Sequence, residues 1–253
     1  MDRTRVGSSW WNVGRAHNTF GMPDTFTAQS LFYALLGGVL PALLWLWFWL
    51  KEDSDNPEPR GLLILSFFAG MAAVMLVYPM EQFATALGFE GLHLLIAWAT
   101  IEEVMKFAMI VVIIFQTSDY FDEPVDALIY MITVALGFAA LENTLFLLEP
   151  ISRGQALVSF LTGNLRFLGA TLLHVIASSM VGVMIGFAFW KSDFIRKIAG
   201  LFGLCIAVAL HTAFNFFIMS ETGPDPFAIF LWLWIGAIII IFLFERLKSR
   251  HTS

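Results

Sequence analysis

Seven long apolar runs, separated by short polar breaks, make up most of the 253-residue chain. Leu31 to Leu50, Gly61 to Tyr78 and Phe227 to Phe244 contain no charged residue. Gly91 to Phe115 is apolar except for His93, Glu102, Glu103 and Lys106. Pro124 to Leu148 carries Asp126 near its start and Glu142 near its end. Phe167 to Trp190 carries only His174, and Ile198 to Met219 only His211. Each run is close to the ~20 residues that a helix needs to cross a bilayer core. Strand-like alternation and repeated hydropathy blocks are absent. The pattern therefore predicts an all-α, polytopic membrane helix bundle with about seven transmembrane helices.

The connections are too short to hold a soluble domain. Lys51 to Arg60 is acidic and contains two prolines, and Thr117 to Glu123 is acidic. Pro150 to Leu165 reads as a short amphipathic surface helix. The expected organisation is a polar N-terminal tail over 1–27, one transmembrane domain over 28–246 with its chemistry in 91–215, and a C-terminal tail over 247–253.

Composition agrees with this reading. The chain is 58% apolar and 13% charged, with a mean hydropathy of +0.78. A soluble chain is about a quarter charged, so there is too little charge here to cover a soluble surface. The net charge of −6 argues against nucleic-acid binding, which calls for a basic face. The single cysteine, Cys205, allows no intrachain disulfide. Arg3, Arg5 and Arg15 are not followed by a short apolar core, so the first apolar run is expected to act as the membrane-targeting signal. Trp45, Trp47, Trp49 and Trp190 read as interfacial anchors.

Seven crossings put the termini on opposite faces. One face carries Lys51, Arg60, Lys191, Arg196, Lys197, Arg246, Lys248 and Arg250, against Arg3, Arg5, Arg15 and Arg153 on the other. The excess of basic residues marks the cytoplasmic face, so the C-terminus is expected in the cytoplasm. The short loops and the lack of a targeting sequence favour a prokaryotic plasma membrane.

Against this apolar background, Glu102, Glu103, Lys106, Glu142, Arg166, His174 and His211 are anomalous. A charge at mid-membrane costs about 2.5–3.5 kcal/mol on insertion scales. Such groups persist when they face one another or a wet cavity, so they define a candidate site. Glu102 and Lys106 share a face at i,i+4, and Glu103 is i,i+3 from Lys106. Arg166 and His174 lie on one row of the fifth run, and His211 and Asn215 are i,i+4 on the sixth. Small residues before Glu142 and Asn143 would let that helix approach its neighbours closely. Three glutamates against Lys106 and Arg166 leave a surplus negative charge, which a proton or a cation would relieve. His93 reads as interfacial, and Glu81, Glu90 and Glu149 as headgroup-level residues.

The same residues carry a resemblance to a known family. The run Ile101 to Phe107 resembles the E-E-x-x-K motif of the PrsW family of intramembrane proteases. Glu123-Pro124-Val125-Asp126, Tyr130 and Gly137 to Asn143 resemble that family's second motif. Arg166 with His174, and His211 to Asn215, resemble its remaining elements. The family is related to CAAX prenyl proteases, in which a histidine usually stands where Glu142 stands here, so Glu142 favours the PrsW-like reading.

The resemblance implies an intramembrane endopeptidase acting on membrane-anchored protein or peptide substrates, as family members are implicated in cleaving anti-sigma factors. It implies a site made of Glu102, Glu103, Lys106, Glu142, Asn143, Arg166, His174, His211 and Asn215. Either Glu102 or Glu103 would be the general base. His174 and His211 would hold the water directly, or bind Zn²⁺ together with Glu142 or Glu103. Asn215 would donate to the oxyanion or orient His211, and Arg166 would do either or neutralise Glu142. Membrane lipid is the expected surrounding partner, and no organic cofactor is expected. Competing readings are a proton-coupled transporter, a CAAX-type prenyl protease and a non-catalytic scaffold.

Overall fold

A computed structural model describes residues 27–53, 57–113, 121–219 and 225–249. Most of the N-terminal tail, with Arg3, Arg5 and Arg15, lies outside these residues, as do Arg250 and much of the 117–123 connection. Among the described residues the structure is helical, without strands.

The helices are α1 (Ala28–Glu52), α2 (Arg60–Ala86), α3 (Gly91–Ile113), α4 (Asp126–Ser152), α5 (Ala156–Leu165), α6 (Thr171–Phe187), α7 (Asp193–Met219) and α8 (Pro226–Lys248). Arg166–Ala170 joins α5 to α6 as one turn of wider π-helix. Together these form a single helical stretch from Ala156 to Phe187. Six helical stretches are long and apolar enough to cross a membrane. The seventh, α3, has the length but carries Glu102, Glu103 and Lys106 at its middle. The all-α bundle expected from the apolar runs is therefore the observed architecture.

Two elements differ most from the sequence reading, and the first has a plain physical reason: a helix continues for as long as its backbone bonds are made, whatever the polarity of its last turns. α2 continues through Glu81 to Ala86, beyond the apolar run that ends at Tyr78. α5 is not a separate surface helix but the first section of the fifth crossing. It exposes Leu157, Phe160 and Leu161, an apolar outer face. Trp49 also departs from expectation. Trp47 and Trp190 are exposed, as anchors would be, but Trp49 is 1% exposed and packs on Phe244.

α4 is the central post. Every side chain from Asp126 to Ala140 is buried, so the helix is apolar all round except where chemistry is needed. It packs against α1, α2 and α6, and α6 packs in turn against α7 and α8. Close approach between α2 and α4 depends on paired glycines. A Cβ on Gly137 would lie 1.9 Å from the Phe67 carbonyl oxygen, and one on Gly70 would lie 2.0 Å from that of Val134. Small residues at such contacts are how membrane helices gain packing when lipid supplies no hydrophobic drive.

A second polar cluster closes the opposite end of α4. The Asp126 carboxylate accepts from the backbone N–H groups of Asp122 at 2.9 Å and Glu123 at 2.7 Å, which pins the incoming loop. Pro124 falls in the turn just before the helix. Tyr130 donates its hydroxyl to Glu58, which precedes α2, and Glu58 also hydrogen-bonds Asp126. Burial, with Asp126 nearby, pushes the Glu58 carboxyl up to about 9 despite the Tyr130 bond.

Two outcomes follow from this packing. Gly137→Ala forces α2 and α4 apart and lowers stability by at least about 3 kcal/mol, the upper range for overpacking, read as a fall in thermal midpoint in detergent. Glu58 binds its proton more tightly folded than unfolded, so its contribution is complete below about pH 4.5 and lost as pH rises towards 9. Glu58→Gln flattens that alkaline loss of stability in a pH series of thermal melts.

Candidate active site

The candidate residues converge from five segments of helix. On α3, Lys106 and Glu103 are fully buried. The Lys106 ammonium lies 2.5 Å from Glu103 Oε1 and 3.8 Å from Glu102 Oε2. It also donates to His174 Nδ1 at 3.1 Å and sits over the Phe138 ring. Glu103 Oε1 accepts from His211 Nδ1 at 2.8 Å, and Glu103 Oε2 accepts from Ser178 Oγ at 2.7 Å. Glu103 is thus saturated by an ammonium, an imidazole and a hydroxyl.

A second node forms where α4 meets the wide turn. Arg166 donates to Glu142 through Nη2 and, at 2.6 Å, to Asn143 Oδ1 through Nε. Asn143 donates its amide to Thr171 Oγ1 at 2.9 Å. The guanidinium lies 3.7 Å from the Phe146 ring centre. A π turn redirects the side chains that follow it and often marks a functional position; here it carries Arg166 itself.

The two imidazoles link these nodes. His174 accepts from Lys106 at Nδ1, so its Nε2 carries the proton and donates to Glu142 Oε2 at 3.1 Å. His211 donates from Nδ1 to Glu103, which leaves the Nε2 lone pair free of that bond. The rings stand 5.1 Å apart at 78°. Between them lies Glu102 Oε2, 3.8 Å from His174 Nδ1 and 3.8 Å from His211 Nε2. This oxygen is buried and has no hydrogen-bond partner. Glu102, His174 and His211 offer ligand atoms all within 4.8 Å of one another, a set able to hold a metal ion.

Glu102 and Glu142 line a cavity of about 40 Å³ between α2, α3 and α4. One water needs roughly 10–15 Å³ by the same measure, so a few fit. Tyr78, Phe138 and Phe146 form its apolar walls. At ~1.5 Å per residue, Glu102 lies about 16 Å from the start of α3, and His211 about 12 Å from the end of α7. The centre therefore sits near the middle of a ~30 Å hydrocarbon layer.

Eight of the nine expected residues fall within this network. Asn215 is the exception: half-buried one turn beyond His211, it makes no hydrogen bond among the described residues. Sequence reasoning placed the metal carboxylate at Glu142 or Glu103, whereas Glu102 is the oxygen that stands between the imidazoles. Sequence reasoning also missed Ser178, Thr171 and Glu81. Ser178 is i,i+4 from His174, a spacing that placed it on the active face. Thr171 is i,i+3 from His174, so the same face-sharing argument applied to it. Glu81 was read as a headgroup-level residue, yet it lines the cavity with Glu102 and Glu142.

Unpaired acid and base groups held beside a water-sized space in mid-membrane define the class of intramembrane hydrolases. Comparison with known proteins narrows the class. A family model described as PrsW family intramembrane metalloprotease matches residues 58–244. Protease PrsW of Bacillus subtilis (strain 168) is 29% identical over 221 residues, covering 81% of this chain and 93% of its own length. Protease PrsW of Geobacillus kaustophilus (strain HTA426) is 29% identical over 173 residues, covering 66% and 70%. That of Clostridioides difficile (strain 630) is 28% identical over 191 residues, covering 72% and 78%. No solved structure matches the chain. The chain belongs to the PrsW family of intramembrane metalloproteases and is an integral membrane protease acting on protein.

Removing the ammonium from this network leaves Glu103 buried without its main counter-charge. Lys106→Met therefore lowers stability by about 3–5 kcal/mol. Adding Glu103→Gln recovers part of the loss in a double-mutant cycle of thermal melts, because the two substitutions remove both halves of one ion pair.

Proposed function

We propose that this centre hydrolyses peptide bonds of membrane-anchored protein substrates, with Glu102 as the group that meets the attacking water. The observation that carries this reading is the unpartnered Glu102 oxygen, buried between two imidazoles and lining the water-sized cavity. Glu103, the other candidate base, is tied to Lys106, His211 and Ser178 and does not line that cavity. Its role is to orient His211 and to balance Lys106.

Peptide hydrolysis requires removal of a proton from water, stabilisation of the carbonyl oxygen as it gains charge, and return of a proton to the leaving nitrogen. Glu102 takes the water proton and carries it to the nitrogen. Arg166, held by Glu142 and Asn143, supplies the positive charge that faces the carbonyl oxygen. Phe138, Phe146 and Tyr78 limit the water to the reacting molecules.

The donor set also fits zinc. Two nitrogens and a carboxylate oxygen are the ligand type of catalytic zinc sites, and ~2.0–2.1 Å bonds at tetrahedral angles give donor separations of about 3.4 Å. The 3.8 Å separations here are close to that. The orphaned Glu102 oxygen and the free Nε2 of His211 are suited to such an ion. His174 joins them when Lys106 turns wholly to Glu103. When bound, zinc would supply Lewis-acid polarisation of the carbonyl. Glu142, on the same cavity wall, is then the carboxylate left to act on water.

The excess of basic residues around the α1–α2 and α6–α7 connections and at the C-terminus orients the C-terminus to the cytoplasm of a prokaryotic cell. Substrate would then meet the centre in the outer half of the plasma membrane.

Glu102→Gln and His211→Ala each lower cleavage of a membrane-anchored reporter by at least about 10²-fold, the lower range for loss of acid–base catalysis, and Glu102→Gln does so with unchanged extraction and thermal midpoint. Normal cleavage by both variants overturns the assignment. Chelation followed by zinc add-back separates the two chemistries: activity that falls and returns supports the metal centre, and activity that survives supports the glutamate alone.

A further inference from the structure

Glu81 lies on α2, outside every stretch of sequence that marked the site. Its carboxyl group lies within side-chain hydrogen-bonding reach of Glu102, where the two can share one proton. Both groups line the same cavity. The placement is built by the surrounding helices. Trp98, i,i+4 from Glu102 on α3, donates its indole N–H to the Glu81 carbonyl oxygen at 3.4 Å. Thr85 donates to the same oxygen at 2.9 Å. Two residues earlier, Pro79 interrupts the backbone ladder of α2. The last turns of α2 are therefore fastened to the α3 face that bears Glu102.

We propose that Glu81 is a positioning residue for Glu102, a hydrogen-bond partner from α2 that holds the reactive carboxylate against the two imidazoles. The inference rests on the proteolytic reading of the same centre. Glu102 needs such a partner because Lys106, the nearest cation on its own helix, stands 3.8 Å away and spends its short contacts on Glu103 and His174. An acidic chain with three carbon–carbon bonds' reach and a single anchor has several rotamers open to it. A partner across the cavity selects one. Carboxylates that serve in reactive or metal-binding centres are commonly held in this way, and loss of the outer partner typically costs 10–100-fold in metal affinity or activity. Glu81 touches neither imidazole in this arrangement, and it acts through Glu102.

The experiment compares Glu81→Gln, Glu81→Ala and Glu81→Leu in full-length protein. Gln keeps an N–H donor for Glu102; Ala and Leu do not, and Leu preserves bulk should the Ala variant fold poorly. Glu81→Gln is expected to keep kcat on a membrane-anchored reporter within about threefold. Glu81→Ala and Glu81→Leu are expected to lose at least tenfold in kcat with KM little changed, and about tenfold in zinc affinity by titration of the metal-free protein. Equal loss in Gln and Leu overturns the proposal, as does a Leu variant with unchanged kcat and zinc affinity. A wild type that cleaves no membrane-anchored reporter removes the proteolytic reading, and the zinc affinities of the variants still decide whether Glu81 holds Glu102.

Discussion

A fully buried ammonium group, Lys106, is the constraint around which the centre is organised. In a low-dielectric interior, an isolated charge is tolerated only with a close partner and saturated hydrogen bonds. Lys106 lies 2.5 Å from Glu103, 3.1 Å from His174 and 3.8 Å from Glu102. One cation thus ties two carboxylates and an imidazole from two helices into one network. Arg166 does the same for Glu142 and Asn143, and His174 spans the two cations' territories. Glu103 is consumed by this task. Glu102 is not: two side chains of the same chemistry differ in their surroundings, one bonded at both oxygens and the other left with a buried oxygen that has no hydrogen-bond partner.

The helices can hold such a network because their backbones come close. α4 is buried nearly all round and touches α2 through Gly70 and Gly137. Where this contact ends, the space between α2, α3 and α4 opens into the small cavity lined by Glu81, Glu102 and Glu142. Tight packing on one side and a small pocket on the other belong to one arrangement, and the pocket leaves room for a few waters beside carboxyl groups. The wide turn at Arg166–Ala170 makes the corresponding adjustment on the other side, turning a lipid-facing helix section into one that delivers Arg166 and His174 inward.

Much of this was legible without coordinates. Long apolar runs announce crossings because a bilayer imposes a length, and the charge-free stretches at Leu31 to Leu50 and Phe227 to Phe244 left no other reading. The members of the site stood out because Glu102, Lys106, Glu142 and His174 are costly in an apolar run. Glu81 escaped notice because a carboxylate near the end of such a run is unremarkable; only the extension of α2 to Ala86 brings it inside. Trp49 was misread for the converse reason, since its position at a helix end says nothing about Phe244 lying against it.

Sequence alone determined that the chain is a membrane bundle, and it singled out a few acidic, basic and imidazole groups within the apolar runs. Both follow from local rules, the length needed to span hydrocarbon and the free-energy cost of a charge within it. The tertiary structure decided which carboxylate is saturated and which is left with an unpartnered oxygen, that α2 contributes to the cavity, and that two distant histidines face one another. Those facts depend on how helices far apart in the chain rotate and meet, a matter of packing between surfaces that spacing along one helix does not contain.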